Sequence, residues 1–157
     1  MKTIIIDDNK QAVKDLNERL TRFSEVEVVA VEHSGLNGLA RVSELQPDLL
    51  FLDVQLPDIS GLDFLERLDS FTHGSCRVVM YTAYDEFVLP AFRKKAFDVL
   101  LKPIDDKDLD IIMHRLADFP PPARPRTAVW GVTQRAEPLS RLHLSPSKGI
   151  SFFILKF

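Results

Sequence analysis

A doubly wound α/β domain, with a parallel sheet covered by helices on both faces, is the fold this sequence predicts. Three observations predict it. Charge-free apolar runs such as Thr3–Ile6 and Leu49–Leu52 read as strands buried on both faces. Between them lie segments whose apolar residues recur at helical spacing, so strand and helix alternate down the chain. Carboxylates close two of the strands, at Asp7-Asp8 and at Asp53. The carboxyl ends of parallel strands are where such sheets place their chemistry.

In chain order, Thr3 to Ile6 is the first strand, and Asn9 is a plausible N-cap for a helix over Lys10 to Phe23, with Val13, Leu16, Leu20 and Phe23 on one face. Val26 to Val31 is the second strand. Leu36, Leu39, Ala40, Val42 and Leu45 mark a second helix, closed by Pro47. Asp48 to Asp53 is the third strand. The loop after it carries Pro57 to fix φ and Gly61 to free it, with Asp58 as a turn residue. Leu62, Phe64, Leu65, Leu68 and Phe71 form a third helix that leaves through His73-Gly74-Ser75. The fourth strand, Arg77 to Thr82, leads to a helix over about Asp85 to Lys95, where Pro90 implies a kink or an interrupted first turn. Phe97 to Leu101 is the fifth strand, Lys102-Pro103 a turn, and Asp105 to Asp118 the last helix. Five strands and five helices suit the flavodoxin-like order 2-1-3-4-5, which sets the first and third strands side by side.

In that order Asp7, Asp8 and Asp53 converge. Three carboxylates at close range repel one another unless a cation neutralises them. Oxygen ligands without Cys or His nearby point to Mg²⁺ or a similar ion. Thr82 and Lys102, ending the fourth and fifth strands, bring a hydroxyl and an ammonium to the same mouth. Such a set suits phosphoryl transfer. Each residue also has a plainer role: Asp7-Asp8 as an acidic helix start, Thr82 as a cap, Lys102-Pro103 as a solvated turn. His33, His73, His114 and His143 show no ligand spacing.

Composition divides the chain. Of its 157 residues, positions 1 to 119 carry 14 Lys/Arg against 22 Asp/Glu, whereas positions 120 to 157 carry six against one. Six of the ten prolines lie from Pro120 onward, which predicts an extended linker over 119–138. Leu139–Ser145 and Ile150–Leu155, about Pro146-Ser147-Lys148-Gly149, look like a C-terminal hairpin over 139–157. A single cysteine, Cys76, forbids an internal disulfide, and three apolar residues before Asp7-Asp8 are too few for a signal or membrane segment. A cytoplasmic protein without membrane attachment is expected.

Taken together, Asp7-Asp8, Asp53 with Pro57 and Gly61, Thr82-Ala83 and Lys102-Pro103 resemble the receiver domain of two-component response regulators, over residues 1 to about 118. The resemblance implies phosphorylation of Asp53 by a sensor histidine kinase. It also implies Mg²⁺ held by Asp8, Asp53 and the Gln55 carbonyl, with Asp7 beside it through water, and Thr82 and Lys102 on the phosphoryl oxygens. The domain is then a phosphoacceptor that assists its own phosphorylation and dephosphorylation rather than a conventional enzyme. Receivers commonly carry an aromatic residue three positions before the lysine of the fifth strand; here that position is Val99, and Phe97, on the same side by strand alternation, is the candidate substitute.

Arg141–Ser145 and Lys148-Gly149-Ile150 resemble the opening of LytTR-type DNA-binding domains, so transcription regulation is expected of a full-length relative. DNA would be bound only through a domain largely missing here. The resemblance also implies a homodimer promoted by phosphorylation, with Arg93, Lys94 and Lys95 meeting Asp105, Asp106, Asp108 and Asp110 across a two-fold axis. Two other classes use related parts. A haloacid dehalogenase-like phosphohydrolase needs an Asp two residues after its nucleophile, where this chain has Gln55. A flavodoxin-like binding module needs a phosphate-cradling loop in place of Asp7-Asp8-Asn9.

Overall fold

A computed structural model describes residues 1–72 and 74–123 of the chain. The five strands are β1 (Lys2–Ile6), β2 (Glu27–Glu32), β3 (Leu49–Leu52), β4 (Arg77–Thr82) and β5 (Asp98–Leu101). They form one parallel sheet in the order β2-β1-β3-β4-β5. The helices are α1 (Lys10–Leu20), α2 (Gly35–Leu45), α3 (Gly61–Thr72), α4 (Val88–Arg93) and α5 (Asp106–Asp118). The expected hairpin over 139–157, and the linker from residue 124 on, lie outside the described residues.

Strand alternation divides the apolar residues between two layers. Ile5, Phe51, Val79, Tyr81 and Leu100 pack on α1 and α5, against Leu16, Leu20, Leu109, Ile112 and Leu116. Ile4, Ile6, Leu50, Leu52 and Met80 face the other way, against Leu39 and Val42 of α2 and Phe64, Leu65 and Leu68 of α3. All four residues of β3 are completely buried, which is why that stretch shows no polar alternation.

Local signals set the element ends. Asn9 caps α1 as expected, its side-chain oxygen accepting from the N–H groups of Gln11 and Ala12. Helix α1 stops at Leu20, short of Phe23, because Thr21 takes the cap position. Pro90 interrupts as expected: a 3₁₀ turn at Asp85–Phe87 precedes α4, and Pro90 stands in the first turn of that helix, where an N–H has no partner to lose.

Two loop readings need correction. Gly61 has no left-handed φ. It is needed because a Cβ there would lie 2.1 Å from the Asp53 carbonyl oxygen. Among the described residues the left-handed glycine is Gly74, at φ 74°. Asp58 does more than turn its own loop: its carboxylate accepts from the N–H groups of Gly35 (2.7 Å) and Leu36 (2.8 Å), tying the β3–α3 loop to the start of α2. Burial works to raise its pKa, but the N–H donors of Leu36, Gly35 and Ile59 outweigh it and hold the carboxyl below the ordinary range.

Candidate functional site

The sheet builds the site by register. Ile6 pairs with Leu52 between β1 and β3, and the Asp53 N–H continues the ladder to the Ile6 carbonyl at 2.9 Å. Asp7 and Asp53 therefore leave neighbouring strands at the same level. Thr82 pairs with Leu101, and the Lys102 N–H reaches the Thr82 carbonyl at 2.8 Å, which brings Lys102 to the same end of the sheet.

The side chains meet there. Carboxylate oxygens of Asp7, Asp8 and Asp53 all lie within 4.8 Å of one another. Lys102 Nζ stands 2.6 Å from Asp7 Oδ2 and 3.2 Å from Asp53 Oδ2. Asp7 is wholly buried and Asp53 nearly so, whereas Asp8 is exposed. Adjacent residues thus divide the work, one carboxylate inside the mouth and one at its lip.

Burial pushes the Asp7 carboxyl above the ordinary carboxylate range; Lys102 and the Asn9 N–H pull it partly back, and the Asp53 charge pushes it up again. Its Oδ1 accepts that Asn9 N–H at 2.8 Å. Its Oδ2, although close to the lysine, receives no aligned hydrogen bond. The Lys102 ammonium is the positive partner that this buried oxygen has. Three carboxylates, with no sulfur or imidazole among the grouped ligands, match the donor set of a hard divalent cation.

The other expected residues fall into place unevenly. Thr82 is buried, and its hydroxyl oxygen accepts the Tyr84 N–H at 3.3 Å, which leaves its proton available to another acceptor. Gln55 stands exposed two residues past Asp53, lining a groove with Leu56, Pro57, Ser60, Leu62 and Phe87.

A family profile described as the response regulator receiver domain matches residues 3–114. The chain belongs to that family. A response regulatory protein of Vibrio cholerae is 37% identical over 131 residues, covering 80% of this chain and 54% of the relative. The transcriptional regulatory protein BtsR of Escherichia coli is 40% identical over 116 residues, covering 74% and 48%. This chain therefore spans about half the length of the curated relatives it matches. The solved response regulatory domain of mrkE from Klebsiella pneumoniae superposes with a TM-score of 0.70 at 28% identity, covering 76% of this chain and 97% of that one. The protein is thus a two-component response regulator receiver, and these matches favour neither the dehalogenase-like nor the flavodoxin-like alternative.

The receiver differs from the sequence reading at three points. Phe97 lies just before β5, so strand alternation does not govern it. Val99 packs with the α2–α3 layer, while Phe97 packs with the α1–α5 layer under the guanidinium groups of Arg77 and Arg115, each 5.3 Å from its ring centre. It does not stand in for the aromatic residue missing at Val99.

Four of the seven charges expected to meet across a dimer, Lys94, Lys95, Asp106 and Asp110, form ion pairs inside the chain. Lys94 pairs with Glu66 and Lys95 with Asp69, both on α3. Arg19 of α1 and Arg22, just past the end of that helix, hold Asp106, and Arg22 also holds Asp110.

The third point is a residue the sequence reading passed over. Tyr81 sits beside the site with its ring centre 4.6 Å from Lys102 Nζ. Its place immediately before Thr82 in a strand of alternating faces was the available signal. His33, which shows no ligand spacing in the sequence, has Nδ1 2.7 Å from the Asp7 carbonyl. A carbonyl only accepts, so Nδ1 carries the proton and the ring fixes the Asp7 backbone.

Among the described residues, no helix is long and apolar enough to cross a membrane.

Proposed function

We propose that residues 1–118 form a receiver in which Asp53 accepts a phosphoryl group from the phosphohistidine of a sensor histidine kinase. The observation that carries this is the triad of contacts at the mouth: Asp53 beside buried Asp7, with Lys102 Nζ within 3.2 Å of both carboxylates. In the reaction an Asp53 carboxylate oxygen bonds to phosphorus as the phosphorus–nitrogen bond breaks. The imidazole leaves with the electron pair. Lys102 offsets charge on the transferring oxygens, and the Thr82 hydroxyl donates to one of them.

Asp8, Asp53 and the Gln55 carbonyl would hold Mg²⁺, with Asp7 beside it through water. When bound it neutralises the crowded carboxylates and the phosphoryl oxygens. The clustering of the Asp7, Asp8 and Asp53 carboxylates within 4.8 Å of one another supports this assignment.

Output follows from what lies around and beyond this domain. Phosphorylation promotes a homodimer through the α4–β5–α5 face, where Phe92, Leu101 and Ile111 are exposed. Residues 119–138 are a linker, and 139–157 open a LytTR-type DNA-binding domain. The protein acts in the cytoplasm to regulate transcription, a reading that the name of the Escherichia coli relative supports.

Acetyl phosphate with Mg²⁺ should add one phosphoryl group, read by intact mass, and Asp53→Asn should abolish the adduct. Full labelling of that variant would place the acceptor elsewhere.

A further inference from the structure

We propose that Tyr81 is a positioning residue for Lys102, its ring face holding the lysine ammonium at the mouth of the site beside Asp53. The inference rests on the reading of Asp53 as acceptor and adds to it the group that keeps the lysine in place.

The geometry is specific. Tyr81 is 2% exposed and packs with the α1–α5 layer. Its ring centre lies 4.6 Å from Lys102 Nζ, within the range where an aromatic face attracts a cation. The same nitrogen reaches Asp7 and Asp53. The ring is itself fixed: its O–H donates to the Ala12 carbonyl of α1 at 3.3 Å, and Tyr81 pairs with Leu100 in the ladder that carries Lys102. Burial, with the Asp15 charge adding to it, raises the phenol's pKa, so the O–H remains a donor.

The three tethers on Lys102 are not equivalent. Both carboxylates lose their hold on the ammonium as a divalent cation or a phosphoryl group neutralises or engages them. The ring carries no net charge, so its attraction for the ammonium persists through each of those states. A lysine side chain has four rotatable bonds and would otherwise drift into solvent at the moment it is needed. Tyr81 is the fixed point from which Lys102 moves off Asp7 and onto a phosphoryl oxygen.

The test uses the full chain with isotope-labelled lysine. In the wild type, without phosphodonor, the Lys102 side-chain protons should show an upfield ring-current shift, assigned by its loss in Lys102→Met. Tyr81→Phe, which keeps the ring, should keep that shift and a labelling rate near wild type. Tyr81→Leu should lose the shift and slow acetyl phosphate labelling by about fivefold to thirtyfold. In a Lys102→Met background, Tyr81→Leu should cause no further slowing.

Equal slowing with and without Lys102, or no ring-current shift in the wild type, overturns the inference. If Tyr81→Leu does not fold, Tyr81→Met replaces it, and the wild-type shift still decides. The shift is read without a phosphodonor, so its absence refutes this inference alone, whereas labelling that survives in Asp53→Asn refutes the acceptor reading.

Discussion

Replacing Gly61 by alanine tests whether the start of α3 sets the position of Asp53. An added Cβ would fall 2.1 Å from the Asp53 carbonyl oxygen and 2.9 Å from both the Asp53 carbonyl carbon and the Val54 Cα. Ordinary contact begins near 3.4 Å, so the gap must open by more than 1 Å. Every atom met is backbone, and no rotamer change relieves the clash. The Gly61 N–H also bonds the Val54 carbonyl at 2.7 Å, which prevents the helix from drifting away freely.

Overpacking of this kind costs about 1–3 kcal/mol. At about 4 °C per kcal/mol for a domain of this size, the melting temperature should fall by roughly 4–12 °C. Because the peptide that moves belongs to Asp53, labelling should suffer more than stability does: a misplacement of about 1 Å can cost about a hundredfold in rate. Thermal melts followed by circular dichroism, and acetyl phosphate labelling followed by intact mass, read the two effects. Gly74→Ala is the control. Open space surrounds Gly74, and its φ of 74° imposes only a local penalty of about 1–2 kcal/mol, far from the site. Wild-type melting and labelling in Gly61→Ala, or a larger labelling loss in Gly74→Ala, would refute the reasoning.

Other substitutions separate charge from structure. Asp8→Asn should slow Mg²⁺-dependent labelling while leaving the apo stability within about 0.5 kcal/mol of wild type or higher, since Asp8 is exposed and its charge adds to the repulsion; a melting temperature lower by many degrees would contradict this. Asp58→Ala should cost about 1 kcal/mol through the lost cap on α2. The folded Asp58 pKa is lowered, so its contribution is present above the unfolded carboxylate value and is lost as pH falls through the folded one. The gap between wild type and Asp58→Ala should therefore close on acidification, and a gap that stays constant down to the acid limit would exclude the assignment. Ile111→Glu, at a side chain 57% exposed on the α4–β5–α5 face, should block the dimer induced by a phosphoryl mimic without changing the melt. Sedimentation of that dimer should show little salt dependence, because the charges of Lys94, Lys95, Asp106 and Asp110 are engaged within the chain.

The sequence alone determined the element order, the 2-1-3-4-5 sheet and the gathering of Asp7, Asp8, Asp53 and Lys102, because each depends on local pattern: strand runs, helical spacing, and a polar residue at a strand end. Register then aligns those strand ends with no further information. The tertiary structure alone decided which of two adjacent carboxylates is buried, since Asp7 and Asp8 differ only in the side of the turn they face. It decided that Asp58 reaches α2, that Gly61 serves close approach rather than a positive φ, and that Lys94 and Lys95 turn to α3. It also placed Phe97 with the α1–α5 layer and set Tyr81 beneath Lys102. All of these are contacts between residues distant along the chain or on different elements. Their partners are chosen by packing angles and side-chain reach, and no periodicity in the sequence encodes those quantities.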